Sequence, residues 1–163
     1  KFNRKTNKFI KFEKSSKLNN LAVLSIERDK QGNYWVATWG DGILCFSPQG
    51  VLLNRIDVDT YPNLVVNDIK DIKFDNQNQL WIGAHGSGLK IFDLTTKQLF
   101  SKENPGKSNT DLFHTPEWIN QILIDKENNI WVASYGGVII YDGKNVEILS
   151  ETSRPGIRSD LVN

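Results

Sequence analysis

The 163-residue chain is long enough for one domain with a substantial core and too short for two large ones. Twenty Lys and Arg against nineteen Asp and Glu leave a net charge of +1, which gives no electrostatic footprint for nucleic acid or an anionic membrane. The single cysteine, Cys45, lies in an apolar run and excludes an intrachain disulfide framework and a thiolate metal cluster.

The opening "KFNRKTNKFI" lacks the apolar core of a signal peptide, and no apolar run reaches the roughly 18 residues of a membrane span. "FNRKTNKFIKF" from Phe2 matches "FDLTTKQLF" from Phe92, so residues 1–19 read as the closing strands of a repeating unit that begins upstream. Three related stretches follow: "IERDKQGNYWVATWGDGILCF" from Ile26, "IKFDNQNQLWIGAHGSGLKIF" from Ile72 and "ILIDKENNIWVASYGGVIIY" from Ile122. They place Trp35, Trp81 and Trp131 in register, 46 and 50 residues apart.

Each unit reads as four short strands. The first spans about Val23 to Arg28, Ile69 to Phe74 and Ile119 to Ile124, and stops at Asp29, Asp75 or Asp125. A turn follows with Gly32, Asn78 or Asn128 in fourth place, residue types that tolerate a left-handed backbone. The second strand, "NYWVAT", "QLWIGA" or "NIWVAS", mixes β-branched and aromatic residues and is closed by glycine-rich turns at 40–42, 86–88 and 136–137. "ILCFS", "LKIFD" and "VIIYD" form the third, and the fourth lies near Val51 to Ile56, Lys97 to Phe100 and Asn145 to Leu149. Helical periodicity of useful length is missing. At the end, "LVN" repeats the "VVN" of 65–67 and opens a further unit.

Four short strands recurring at this spacing predict an all-β chain, a β-propeller segment of four-stranded antiparallel blades. Blades are expected at 20–57, 66–101 and 116–150, with a linker and the start of another at 151–163. A single β-sandwich would not require the same Asp, turn and Trp three times over. Closed propellers use roughly four to eight blades, so about three blades plus partial flanking ones form an open arc. With no methionine, the chain reads as a piece of a longer protein, completed by further blades of a parent or by other copies.

"DKQGNYWVATWGDG", "DNQNQLWIGAHGSG" and "DKENNIWVASYGG" resemble the two-component regulator propeller repeat, whose core is Asp, a short Gly-Asn turn, Trp, an aliphatic, a small residue, a hydroxyl residue and a Gly-rich turn. The second copy departs with Asn78-Gln79, and the third is one residue shorter after Tyr135, so a binding surface need not be symmetric. The resemblance implies the extracytoplasmic sensor region of a bacterial hybrid two-component histidine kinase, on the periplasmic or extracellular side of the inner membrane. Many such regions respond to oligosaccharides. The implied partners are an oligosaccharide ligand, other blades or domains of the parent sensor and a second copy in a homodimer, with no cofactor and no insertion of this segment into a membrane. Fold alone does not fix function.

The repeated tryptophans suit the core, and the repeated Asp suits a side chain that bonds its own turn, since the spacing lacks the alternating carboxylates of a calcium loop. Trp39, His85 and Tyr135 are different: three rings at one repeat position, each just before a glycine turn. In a propeller that turn shares a face with the loops linking blades, notably "SKENPGKSNTDLFHTPEW" from Ser101 to Trp118. That face is expected to gather Trp39, Asp41, His85, Tyr135, His114 and Trp118, rings beside polar groups that suit a sugar. The competing expectation is that the rings fill space between blades, and their exposure decides between the two.

Catalysis has little support. His85 and His114 are too separated for a metal site by spacing, and Ser87 in "HGSGL" precedes a strand, not the helix of a nucleophile elbow. The expected function is non-catalytic sensing. A structural or protein-interaction module is the alternative, and a propeller lyase or hydrolase, drawing on His85, His114, Asp41 and Asp68, comes third.

Overall fold

In the computed structural model, residues 2–9, 21–106 and 110–150 are described. The short hairpin β1 (Phe2–Asn3) and β2 (Lys8–Phe9) precedes three antiparallel sheets of four strands each. The first sheet contains β3 (Ala22–Arg28), β4 (Tyr34–Trp39), β5 (Ile43–Phe46) and β6 (Leu52–Ile56). The second contains β7 (Ile69–Phe74), β8 (Gln79–Ala84), β9 (Gly88–Asp93) and β10 (Gln98–Phe100). The third contains β11 (Ile119–Ile124), β12 (Ile130–Ser134), β13 (Gly137–Tyr141) and β14 (Val146–Leu149). Strand neighbours follow chain order throughout each sheet, the up-and-down pattern of propeller blades. The expected opening of a further unit at 151–163 lies outside the described residues, as does 10–20.

The leading strands stand side by side, β7 against β3 and against β11, which makes them the inner strands of the arc. Each carries the same β-bulge, at Val23/Ser25, Ile69/Asp71 and Ile119/Gln121. An extra residue there swings the strand end and raises local twist. Two apolar layers fill the spaces between blades. Trp35, Ala37, Ile43, Cys45 and Ile56 of the first blade meet Ile72, Leu80, Ile82 and Phe92 of the second. Trp81, Leu89 and Ile91 meet Ile122, Val132 and Ile139 of the third. The period-2 alternation thus gives the central strands of the middle blade, β8 and β9, two buried faces.

The repeated turn works as expected: Gly32, Asn78 and Asn128 have φ of 89°, 66° and 65°, and their amides donate to the Asp carbonyls at 3.0, 3.1 and 3.1 Å. The Asp carboxylates do more than hold the turn. Asp29, Asp75 and Asp125 each accept from the indole Nε1–H of the Trp six residues on, at 3.0, 2.9 and 3.0 Å. One carboxylate thus closes the turn and pairs the polar edge of a core ring, which would otherwise be left unpaired in an apolar layer. Burial raises the Asp29 carboxyl, but the hydrogen bonds from Trp35 and Asn33 outweigh it and hold the group below its usual range. The expectation of a core role needs one correction. Trp35 and Trp81 are buried between sheets, whereas Trp131 is only partly buried, because it lies on the outward face of the third blade.

Candidate functional site

Each blade pins its β-turn between the second and third strands to the loops between blades. Gly42 N–H donates to Asn67 O at 2.9 Å, His85 N–H to Asp68 O at 2.8 Å, Gly86 N–H to Glu117 O at 2.9 Å and Tyr135 N–H to Trp118 O at 3.1 Å. His85 and Trp118 also form an isolated antiparallel bridge across the second and third blades. These bonds fix the face on which the rings after the core tryptophans stand. Gly42, with φ of 71°, packs its α-carbon against the Ile56 carbonyl so closely that no Cβ would fit, which is why the turn reads Gly-Asp-Gly.

On that face four rings form a continuous row. Trp39 lies 5.0 Å from His85, His85 lies 4.5 Å from Trp118, and Trp118 lies 6.3 Å from Tyr135, measured between centroids. The last two contacts are edge-to-face, the geometry that ring quadrupoles favour. The rings support one another across blades and remain open to solvent: Trp39 is 44%, Trp118 46% and Tyr135 62% exposed. The ring edges pack against one another between blades while their surfaces stay displayed. His85 is more enclosed, and its Nδ1 is buried without a hydrogen-bond partner.

The other two expected residues sit differently. Asp41 is drawn toward the outer strand β6 by an ion pair with Arg55 at 3.6 Å, while Arg55 also pairs with the buried Asp57 at 2.6 Å. His114 is exposed and closes the 3-10 turn Thr110–Phe113, its amide donating to Asp111 O at 3.1 Å. Leu112 and Phe113 anchor that turn in the second apolar layer. Of the six expected residues, Trp39, His85, Trp118 and Tyr135 make the row.

A polar ladder on the inner strands was not expected from the sequence. Ser25, Asp71 and Gln121 share one repeat position, and Asp71 accepts from Ser25 Oγ at 2.6 Å and from Ile122 N at 2.8 Å, touching all three blades. Lys73 donates to Glu27 at 2.7 Å and to Asp71 at 3.3 Å. Burial would lower the Lys73 ammonium, yet its bond to Glu27 and the Asp71 charge raise it above its usual range. The 46-residue offset of Ser25 from Asp71 and of Glu27 from Lys73 was the available signal. Among the described residues no group of His, Cys, Asp and Glu has the arrangement of a metal site. No helix among them is long and apolar enough to cross a membrane.

Residues 17–40, which include the first Asp-turn-Trp unit, match the family described as two component regulator propeller. The chain is similar, at 27% identity and a TM-score of 0.62, to an extracellular domain from B. thetaiotaomicron described as that of a hybrid two component system, covering 86% of this chain and 18% of that one. A second such domain from the same organism matches at 19% identity and a TM-score of 0.62, over 78% of this chain and 18% of that one. Virginiamycin B lyase from Staphylococcus aureus shares the fold at 10% identity and a TM-score of 0.54, over 79% of this chain and 41% of the lyase. A search of curated proteins finds no match. The chain is a propeller segment related to the extracellular regions of hybrid two-component systems, and it spans about a fifth of their length, 18% in both cases.

Proposed function

We propose that this propeller repeat array serves in the extracytoplasmic sensor region of a two-component regulator, where it is non-catalytic and presents the Trp39, His85, Trp118 and Tyr135 row to an oligosaccharide-like ligand. The exposure of three rings in a mutually braced row is the observation that carries the reading. The apolar C–H face of a sugar ring stacks on an exposed aromatic, and its hydroxyls need hydrogen-bonding groups such as the Tyr135 hydroxyl. Bracing matters because a ring held in place loses less entropy on binding than a free one. Signalling then follows from a difference in ligand affinity between two arrangements of the sensor, passed on by domains beyond this segment. On this reading the segment faces the periplasm or the outside of the cell, as the extracellular domains of its relatives do.

Calorimetric titration with a panel of oligosaccharides tests the reading. Saturable binding that falls at least about tenfold in a folded Trp118→Ala variant, a loss of about 1.4 kcal/mol, is expected for a stacking residue. Absence of binding across the panel would favour an interaction module whose exposed rings meet another protein, a role for which clustered aromatics are equally suited.

A further inference from the structure

At the far end of β4 from Trp39, the seam between the first two blades opens into a cavity of about 590 Å³. Asp29, Trp35 and Cys45 are its buried floor. Partly buried Asn33, Asn54, Tyr61, Asn78 and Leu94 form the walls, and the exposed Leu53 and Lys97 stand at the rim. The volume falls in the range of small-molecule sites, and the mixture of a few convergent polar groups with apolar surface is typical of them.

The repeat supplies an internal comparison. At the seam between the second and third blades, Asn128 Oδ1 accepts from Asn76 N at 2.9 Å, and its Nδ2 donates to Gln77 at 3.3 Å, which ties the neighbouring turns together. Asn78 holds the same repeat position with the same left-handed backbone, φ of 66° against 65°. Its Oδ1 is nevertheless buried with no partner in the protein. The first seam is bridged instead by the long arm of Lys30, whose Nζ donates to Asn76 O at 2.8 Å. The lysine spans the turns and leaves the amide acceptor in the cavity wall unspent.

Nearby groups have spare donors. Asn54 Oδ1 is taken by the Arg55 amide at 2.9 Å, which leaves Nδ2 for an acceptor. The Tyr61 hydroxyl and the Lys97 ammonium add further donors. The Asp29 carboxylate is committed to Asn33 and Trp35. An occupant must therefore accept from Asn54, Tyr61 or Lys97, donate to Asn78 once that amide, whose Oδ1 is enclosed in the free protein, turns into the cavity, and lay an apolar face against Leu53 and Leu94. Hydroxyl groups do both polar tasks from one atom.

We infer that this seam is a second ligand site, separate from the ring row, for a small neutral polyhydroxylated ring compound of one or two rings. It does not depend on the reading of the row, since the two lie at opposite ends of β4.

The test is a two-dimensional amide spectrum of the protein titrated with glucose, fructose, cellobiose and maltose, up to about 10 mM, ten times a Kd of about 1 mM. The expected result is saturable shifts at Asn33, Asn54, Asn78 and the Trp35 indole with at least one sugar, while the Trp39 and Trp118 indoles stay still or saturate with a different affinity. Asn78→Gly keeps the left-handed turn, as Gly32 does in the first blade, and should weaken binding at least about tenfold. Leu53→Trp, which fills the rim, should abolish it and gives a second variant that leaves the turn intact. Shifts confined to the ring row, no shift at the cavity with any of the four sugars, or unchanged affinity in both variants would overturn the site.

Discussion

The Asp–Trp pair gives the most demanding test of the fold's energetics, because the protein repeats it in different surroundings. Asp75 accepts from Gln77 N at 2.9 Å, Gln79 N at 2.8 Å and Trp81 Nε1 at 2.9 Å. In Asp75→Ala the turn amides regain water in part. The Trp81 N–H, enclosed between blades, does not. An unpaired buried donor costs about 1–3 kcal/mol, and losing charge-assisted turn bonds adds about 1 kcal/mol more, so the variant should lose roughly 3 kcal/mol. With an m-value of about 2 kcal/mol/M, the urea midpoint measured by circular dichroism falls by roughly 1.5 M. Asp125 makes the matching bonds to Glu127, Asn129 and Trp131 at 3.0, 2.8 and 3.0 Å, but Trp131 is partly exposed and water replaces the lost acceptor. Asp125→Ala should therefore cost clearly less. Trp81→Phe in the Asp75→Ala background should be far less damaging than in the wild type, since the orphaned donor is then gone. Equal losses at Asp75 and Asp125, or additive effects of the Asp75 and Trp81 changes, would refute the argument that desolvation of the indole sets the cost.

Three further outcomes follow from the same geometry. Burial pushes the Cys45 thiol up to about 12, so a thiol reagent at pH 8 should leave the native protein unlabelled and react fully once urea unfolds it; prompt native labelling would contradict the packing. Gly42→Ala meets the Ile56 carbonyl and a positive φ together and should cost about 3 kcal/mol or more, whereas Gly86→Ala meets only the positive φ, at about 1 kcal/mol, as compared by thermal unfolding. Hydrogen bonds hold the Asp29 and Asp57 carboxyls below their ordinary value of 3.8 against the opposing effect of burial. Because these folded-state values are depressed, the stability they add is complete above about pH 4 and is lost as pH falls through the folded values. A denaturation series from pH 6 to pH 2 should show a fall confined to the acid end, smaller in Asp57→Asn.

Much of the fold was legible because a repeat supplies its own alignment. Three copies of Asp, turn and Trp place β4, β8 and β12 to within a residue, and the alternation along them separates the buried faces. Trp39, His85 and Tyr135 could be grouped in the same way, as one position read three times. Trp118 shows where this reasoning stops. Its repeat equivalents are Asp68 and Ala22, neither of them a ring, so nothing periodic announces it. It enters the row because the Ser101–Trp118 connection ends in a bridge to His85, a pairing between blades that only the folded chain displays. Asp41 stands apart from the row for the converse reason: it lies two residues from Trp39 in sequence, but Arg55, fourteen residues on, pairs with its charge. The partial exposure of Trp131 reflects its place at the end of the described array and not its sequence, which matches its buried counterparts.

The five indole N–H signals of the protein offer the most direct test of the ring row, since the chain has only five tryptophans. Those of Trp81 and Trp131 are tied to Asp carboxylates, and that of Trp35 reports the cavity at the opposite end of the blade. Titrated with an oligosaccharide panel, Trp39 and Trp118 should shift together and saturably while Trp81 and Trp131 remain in place. Stationary Trp39 and Trp118 signals across the panel would contradict the claim that the row is a ligand platform.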